Sequence, residues 1–364
     1  MRKNHGFTLL ELLAVIVILA VISLIATPLI MNVIEDAKKE SARESAYGII
    51  KAGEIKQTQE VGKNQSTIYS ETSGLEYSGT KASKFLLVLD DIGRSSFQGF
   101  IDGVCLVKEY PDKEIRIDES KKTEDECVKS PSFKDDTWEM IVFNVKNDNT
   151  AFYKVGDTKE IELQGLGTFR VRVANNSSPK ECEDDNFSES ACGFVIEFEH
   201  VVTRHNMNST STNAGGWPAS EMRAYLNGEF LNMLPSVVKN NLKDTKVVTG
   251  HGSKETSNTT SVDKIYLLSP MEVFGSADTM NATEYDSASQ YTRQLDYYTS
   301  KGVSPSRRSN AVKKEIGGNI YAWWLRTPHS NASNIFYLIA ASSNWSDRYF
   351  ATSTYGVSPA FRIG

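Results

Sequence analysis

Glu11 is the single charged side chain in an otherwise apolar run that extends from Phe7 to Met31. An ionised carboxylate in a hydrocarbon environment is costly, and such a residue usually marks a function or a partner. The run is interrupted otherwise only by Thr8, Ser23, Thr27 and Pro28. Glu11 is therefore the first candidate functional residue of the chain.

The apolar run is long enough to cross a bilayer as a helix. A short basic leader with Arg2 and Lys3 precedes it and ends at Gly6. A secretory signal would carry its small-residue cleavage site after the apolar run, whereas Gly6 comes before it. We therefore expect the helix to be retained. From Asn32 to about Val61 an apolar stripe continues among charged residues, which predicts one long amphipathic rod.

This pattern resembles the N-terminus of type IV pilins and pseudopilins. The resemblance implies that a prepilin peptidase cuts after Gly6 and that the new terminal Phe7 is N-methylated. It also implies that Glu11 pairs with a terminal amine when subunits leave the membrane for a filament, because opposite charges in an apolar core must neutralise each other. Pro28 falls where such helices often kink. The alternative is a plain signal anchor with an accidental acid.

Composition limits the partners. The chain has 364 residues and a formal charge of −6, and removal of Arg2 and Lys3 leaves 38 basic against 46 acidic residues, a net charge of −8. An acidic exterior does not favour binding to nucleic acid phosphates, so no nucleic acid partner is expected.

The length predicts more than one folded part. We expect an α+β protein with a leader at 1–6, a transmembrane and filament-core helix at 7–31, a pilin-like helix continuation with a small β domain at 32–148, and a further α+β domain at 149–364. In the small domain, Phe97 to Val107, Glu114 to Asp118 and Trp138 to Val145 have strand character, whereas Gly62 to Gly79 is expected to be a loop.

Four cysteines, Cys105, Cys127, Cys182 and Cys192, follow the apolar run in the part expected to be exported. Disulfides are expected there, although four cysteines allow three connectivities. Pairing of sequence neighbours, Cys105 with Cys127 and Cys182 with Cys192, closes the shortest loops. A metal site is the competing interpretation, but the spacings lack the close CxxC pairs of zinc modules.

Beyond Tyr153 the pattern predicts short strands, a helix from Ser220 to Leu234 capped by Ser220, and a polar loop within Lys239 to Val262. The ordered motifs resemble a family of bacterial surface domains of uncharacterised function, whose fold is similar to C-type lectins and formylglycine-generating enzymes. These motifs are Gly215-Gly216-Trp217, Ser220-Glu221-Met222-Arg223, Leu226-Asn227, Asp263-Lys264, Leu267-Leu268-Ser269, Trp323-Trp324-Leu325-Arg326 and Gly356 to Arg362. The resemblance implies that the tryptophans, Arg326 and Arg362 are scaffold.

In such folds loops usually make the binding surface, which here implies His329 to Asn334, Ser342 to Tyr349 and Ser353 to Tyr355. Their side chains combine adaptable polar groups with rigid aromatic area. The candidate ligand residues are His329, Asn331, Asn334, Asn344, Trp345, Asp347, Tyr349 and Tyr355. Ordinary loop composition explains the same residues. A third hypothesis is diversification of these loops by reverse transcription, as in some lectin-like domains.

Catalytic and metal chemistry find little support in the sequence. GxSxG, HExxH, P-loop and dinucleotide motifs are absent. A Glu-Pro-Asn calcium motif is also missing, and Asn344 with Trp345-Ser346-Asp347 resembles it only slightly. Formylglycine-generating enzymes need a cysteine pair late in the fold, whereas Cys192 is the last cysteine. His200 and His205 are expected on opposite faces of a strand. We therefore expect no enzyme activity, cofactor or metal.

Together these features predict a minor type IV pilin-like subunit. Its N-terminal helix holds it in the bacterial cell membrane and then in an extracellular pilus with other pilin subunits, and a lectin-like domain is displayed for adhesion to a host surface, glycan or protein. The alternative is a pseudopilin of a type II secretion or DNA-uptake machine, whose large domain contacts cargo.

If Gly6 is the cleavage glycine, mass spectrometry of the protein from its native host will find a chain that begins at N-methylated Phe7. The cause is peptidase recognition of the leader before the apolar helix. A native chain that retains Met1 to Gly6 would contradict the prepilin interpretation.

Overall fold

The computed structural model describes residues 9–60, 67–89, 94–109, 112–146, 148–275, 288–305, 309–341 and 346–364. Its secondary structure is mixed α and β, which confirms the predicted class. The chain divides into two compact units, Met1–Ser130 (unit 1) and Pro131–Gly364 (unit 2). This division comes earlier than the expected bound at 148, because Phe133, Ile141 and Val142 belong to the hydrophobic core of unit 2.

Unit 1 consists of one long helix, an antiparallel sheet of five strands in sequential order and a short second helix. Its elements are α1 (Leu9–Glu60), β1 (Thr67–Ser70), β2 (Ala82–Leu89), β3 (Ser95–Ile101), β4 (Val104–Lys108), β5 (Arg116–Ile117) and α2 (Glu124–Cys127). The predicted single rod is confirmed, since α1 continues through Pro28.

The second half of α1 supplies the core of unit 1. Ala42, Ala46, Ile49 and Ile50 are buried and pack with apolar side chains of β2, β3 and β4. Their spacing of three and four residues places them on one helix face. The amphipathic continuation predicted from the sequence is therefore the face that carries the sheet.

The strand character expected for Phe97 to Val107 is confirmed, and the stretch is divided between β3 and β4, because Asp102 and Gly103 both adopt positive φ angles (49° and 78°) and make a tight hairpin turn. One expectation for unit 1 was wrong. The expected loop from Gly62 to Gly79 contains β1, in which Thr67 to Ser70 pair with β2. Threonine, isoleucine and tyrosine in β1 favour extended structure despite the polar surroundings.

Both predicted disulfides are confirmed. Cys105 in β4 is bonded to Cys127 in α2, and Cys182 is bonded to Cys192. Each bond lies within one unit, and no described cysteine is free. The competing metal interpretation of these cysteines is thereby excluded.

Besides short 3-10 turns, unit 2 contains six short α-helices, a π-helical stretch (Leu226–Phe230) that joins two of them, and fourteen strands among its described residues. They are α3 (Trp138–Lys146), β6 (Thr158–Leu163), β7 (Gly167–Asn175), β8 (Val195–Phe198), β9 (Thr203–His205), α4 (Glu221–Tyr225), α5 (Leu231–Met233), α6 (Ser236–Lys239), β10 (Thr245–Gly252), β11 (Glu255–Asp263), β12 (Ile265–Tyr266), α7 (Pro270–Phe274), α8 (Asp296–Ser300), β13 (Lys314–Ile316), β14 (Asn319–Tyr321), β15 (Trp323–Pro328), β16 (Ile335–Ile339), β17 (Ser346–Phe350), β18 (Tyr355–Val357) and β19 (Ala360–Arg362).

Two five-stranded sheets form the frame of unit 2, with the orders β12-β19-β8-β7-β6 and β17-β16-β15-β18-β9. The predicted final strand is split between them, so β18 lies in one sheet and β19 in the other. Pro359 lies at the crossing and has no N–H for a continuous ladder. Its carbonyl accepts the Phe198 N–H at 3.0 Å, which fastens the crossing to β8. The last residues of the chain therefore join both sheets.

The stretch Trp138 to Val145 was wrongly expected to be a strand. It forms α3, because Trp138, Ile141, Val142 and Val145 recur at helical spacing and all pack on the core of unit 2. The Thr137 hydroxyl accepts the Met140 N–H at 3.3 Å at the start of the helix.

The expected polar loop within Lys239 to Val262 is instead largely the hairpin β10–β11. Strand β10 buries Val247 and Val248, whereas most of β11 is exposed. The Ser, Thr and Asn side chains of β11 resemble a loop in composition, and only the pairing with β10 makes them a strand. The predicted helix that begins after Ser220 is confirmed, with the Ser220 hydroxyl accepting the Arg223 N–H at 3.2 Å.

The motif Trp323-Trp324-Leu325-Arg326 is fully buried. The indole N–H groups donate to backbone carbonyls, Trp323 to Val312 at 3.0 Å and Trp324 to His205 at 2.9 Å. Arg326 makes a bidentate ion pair with Glu272 at 2.5 and 2.6 Å and also donates to a backbone carbonyl. These contacts make the motif a part of the scaffold.

A second buried ionic cluster lies in the core of unit 2. Glu197 accepts hydrogen bonds from Arg172 Nε, Lys314 Nζ and the Tyr298 hydroxyl at 2.8, 2.8 and 2.9 Å. Lys314 also donates to the Phe198 carbonyl at 2.6 Å. Because Glu197 and Lys314 are completely buried, removing one partner leaves an uncompensated charge in a poorly solvated interior.

Acid will destabilise unit 2 through this cluster. Burial opposes ionisation of Glu197, but the charges of Arg172 and Lys314 outweigh it and lower the pKa of Glu197 from 4.5 to about 2. A lowered carboxyl pKa stabilises the fold above the unfolded value, and this contribution is lost as the pH falls from 4.5 to about 2. We expect Glu197→Gln to lose about 3–5 kcal/mol at pH 7 and to weaken the pH dependence in that window.

Urea unfolding of the detergent-solubilised chain checks this at pH 7 and pH 3. Tryptophan fluorescence reports unit 2 alone, because all five tryptophans follow residue 130. Glu160→Gln, at an exposed position on β6, is the matched control and should change stability by less than about 0.5 kcal/mol. Equal losses for both variants would refute the assigned role of Glu197.

Candidate functional site

The first candidate site is the apolar half of α1. Large apolar side chains from Leu9 to Ile34 are exposed in the single chain. Within the described ranges this helix alone is long and apolar enough to span a membrane, with a mean hydropathy of 3.0 over its most apolar stretch. Such a surface is stable only in a bilayer or against other apolar surfaces.

Glu11 lies in the first turn of α1 and is exposed on this apolar surface. A carboxylate at this position can meet a cationic group of a neighbouring helix from the side. Gly6 and Phe7 lie outside the described residues, so cleavage and methylation there stay predictions. The helix passes through Pro28 without interruption, and the expected kink stays a prediction as well.

The second candidate site is the edge of the sheet that ends with β17. Strand β17 is the edge strand, and it pairs with β16 so that Tyr349 lies opposite Phe336 and Arg348 opposite Tyr337. Because side chains alternate along a strand, Asp347 and Tyr349 share one face and Arg348 points to the other.

Tyr355 joins Asp347 and Tyr349 on their face. The rings of Tyr349 and Tyr355 contact edge to face with centroids 5.0 Å apart, and Tyr355 packs on buried Trp324 at 5.2 Å. Burial, a hydrogen bond with Tyr349 and the nearby charge of Asp347 raise the pKa of Tyr355 to about 12. The structure therefore brings three of the predicted ligand residues together on a rigid aromatic base.

His329 has a different environment from these three. It is buried, stacks on Tyr337 with ring centroids 5.5 Å apart, and accepts the Asn331 N–H on Nδ1 at 3.1 Å. Burial and the charge of Arg348 lower its pKa. His329 thus orders its own turn on the opposite face of the sheet, and we leave it out of the aromatic surface.

The remaining predicted ligand residues are distributed differently. Asn331 is exposed, whereas the Asn334 side chain donates to the Ser211 hydroxyl at 3.2 Å and its carbonyl accepts the Ala351 N–H at 2.8 Å. Asn334 therefore joins the loops together. Asn344 and Trp345 lie outside the described residues.

Asn213 is a supporting residue that the sequence did not reveal. It is fully buried, and its amide donates to the carbonyls of His329, Ala332 and Ile335 at 3.0, 2.7 and 2.9 Å. Its side-chain oxygen accepts the Ser253 N–H at 2.8 Å. Asn213 thus fixes the turn before β16 to the end of the β10–β11 hairpin. In the sequence it looks like any residue of a polar loop.

The described residues contain no group of three or more His, Cys, Asp or Glu side chains arranged to hold a metal ion. His205 stacks on Tyr225 with ring centroids 4.7 Å apart, and His200 lies 3.9 Å from a Glu199 carboxylate oxygen. The two histidines therefore have separate partners.

Comparison with known families agrees with the N-terminal site. Residues 1–27 match the family model of the prokaryotic N-terminal methylation motif, and residues 194–364 match that of a domain of unknown function (DUF6273). No curated protein and no solved structure matches the chain. The chain therefore has a type IV pilin-like N-terminus, with pilin subunits and the prepilin peptidase as its general partners. This N-terminus and the apolar helix fit membrane anchoring followed by pilus assembly.

Asn213→Ala will loosen the turn before β16, because three carbonyls and the Ser253 N–H each lose a hydrogen bond to the buried Asn213 amide. We expect a loss of about 1–3 kcal/mol in the free energy of unfolding. Hydrogen exchange should accelerate at residues 329–335. Asn331→Ala, at an exposed position in the same turn, is the control, and equal exchange in both variants would contradict the role of Asn213.

Proposed function

We propose that the protein is a minor pilus subunit whose unit 2 is a lectin-like display domain for adhesion. Support for incorporation comes from Glu11 on an exposed apolar helix surface and from the match to the methylation motif. Helices of neighbouring subunits bury the apolar surface, and a terminal amine of one subunit neutralises Glu11 of another. This paired charge carries the proposal.

The display role of unit 2 is supported by its construction. It has its own core and buried ion pairs, so it needs no help from the apolar helix to stay folded. Its predicted ligand residues Asp347, Tyr349 and Tyr355 lie at the edge of a sheet, supported by buried Trp324. Recognition residues on a rigid scaffold are typical of binding proteins. Unit 2 accordingly acts by binding and not by catalysis, at the cell surface.

Immunogold labelling of sheared filaments with an antibody against unit 2 tests incorporation. We expect label on filaments of the wild type and at least a tenfold loss for Glu11→Ala, with the protein still in the membrane fraction. Glu44→Ala removes an exposed acid of α1 outside the apolar half, and it should be incorporated normally.

Adhesion is then compared between cells that make the protein, cells that lack it and cells with the Glu11→Ala variant. Loss of adhesion in the last two supports the proposal. Labelled filaments with unchanged adhesion would refute the display role. A protein that never enters filaments, and whose loss abolishes secretion or DNA uptake, would favour the pseudopilin alternative.

A further inference from the structure

Strand β17 presents a tyrosine ring beside a carboxylate. The Tyr349 side chain is 43% exposed, and Asp347 lies two residues earlier on the same face, about 7 Å away along the strand. One Asp347 oxygen accepts the Arg348 N–H at 2.8 Å. Among the described residues, the other oxygen has no hydrogen-bond partner. An aromatic face and an unfilled acceptor therefore lie side by side.

The ring of Tyr349 is held in place before any ligand arrives. It contacts the Tyr355 ring edge to face with centroids 5.0 Å apart, and Tyr355 in turn packs on buried Trp324 with centroids 5.2 Å apart. A side chain that is already fixed loses little conformational entropy on binding. This surface is therefore preorganised.

The core of unit 2 also contains a tyrosine ring near a carboxylate, and there an arginine side chain contacts both groups. Arg172 places its guanidinium carbon 3.8 Å from the centre of the Tyr297 ring, and its Nε lies 2.8 Å from Glu197. A guanidinium thus bridges a tyrosine face and a carboxylate. Tyr349 and Asp347 supply the same ring and carboxylate at the surface. Among the described residues, no cation bridges these two groups.

A guanidinium suits this pair for physical reasons. The face of an aromatic ring carries partial negative charge and attracts a cation. The planar guanidinium can stack on the ring and still direct N–H groups at a carboxylate, whereas an ammonium is a point charge. An anionic group would be repelled by Asp347, and a purely apolar one would leave its free oxygen unpaired and desolvated.

We propose that Tyr349 and Asp347 form a binding site for an arginine side chain of a protein partner. The inference rests on the proposed display role of unit 2 and names the chemistry of its ligand. The Arg204 guanidinium carbon lies 5.1 Å from the centre of the Tyr321 ring. Arg204 therefore pairs with a different tyrosine, and the Tyr349 ring can accept an arginine from a partner.

The test uses the full chain in detergent, labelled with 3-fluorotyrosine. Fluorine NMR follows the Tyr349 resonance, assigned by its loss in Tyr349→Phe, during titration with Nα-acetylarginine methylamide. We expect a saturable shift with this probe and none with the citrulline analogue, which has a similar shape but no charge. Asp347→Asn should weaken binding about tenfold, since the ion pair is lost while the strand is kept.

Phe350→Ala is the matched control, because Phe350 is exposed on the same strand but points to the opposite face. It should leave the titration unchanged. Equal shifts with citrulline, no effect of Asp347→Asn, or a Tyr349 shift with lactose but not with the arginine probe would each overturn the inference. None of these results touches filament labelling or adhesion, so failure of the proposed function is measured separately.

Discussion

One constraint shapes this protein: a helix whose first half presents a continuous apolar surface is not stable in water. Side chains from Leu9 to Ile34 are exposed in the single chain. In a bilayer this surface is satisfied by lipid, and in a filament by other helices. Glu11 is a charged side chain on that surface, and an ionised carboxylate is tolerated in an apolar environment only where an opposite charge neutralises it. The N-terminal half of α1 is therefore complete only in the company of membrane or partner.

The other half of the same helix has its apolar face already buried within the single chain. Ala42, Ala46, Ile49 and Ile50 are buried by the sheet of unit 1. Small alanines allow close approach of the sheet, and the disulfide between Cys105 and Cys127 ties α2 to β4. A continuous helix thus connects a segment made for association with a segment that is already folded, which is the physical basis of a pilin-like subunit.

Unit 2 achieves stability in another way. Its strands are short and its connections are long, so many polar groups are buried and must find partners. Glu197 with Arg172 and Lys314, and Glu272 with Arg326, meet this need with multiple hydrogen bonds. Removal of one residue from a buried ion pair of this kind is strongly destabilising, because it leaves an uncompensated charge in the interior. A frame held so firmly can present Tyr349 and Asp347 at its edge with little conformational freedom.

The sequence by itself determined the features that depend on local pattern. Gly6, Phe7 and Glu11 marked the methylation motif, hydropathy predicted the long helix, and the shortest loops predicted both disulfides. Contacts between distant segments were decided only by the tertiary structure. Composition did not distinguish β11 from a loop or Asn213 from a solvated asparagine, because pairing and burial set their roles. Likewise, the polar composition of the loops had placed Tyr349 and His329 in one candidate surface. The register of β17 shows that they lie on opposite faces of the sheet.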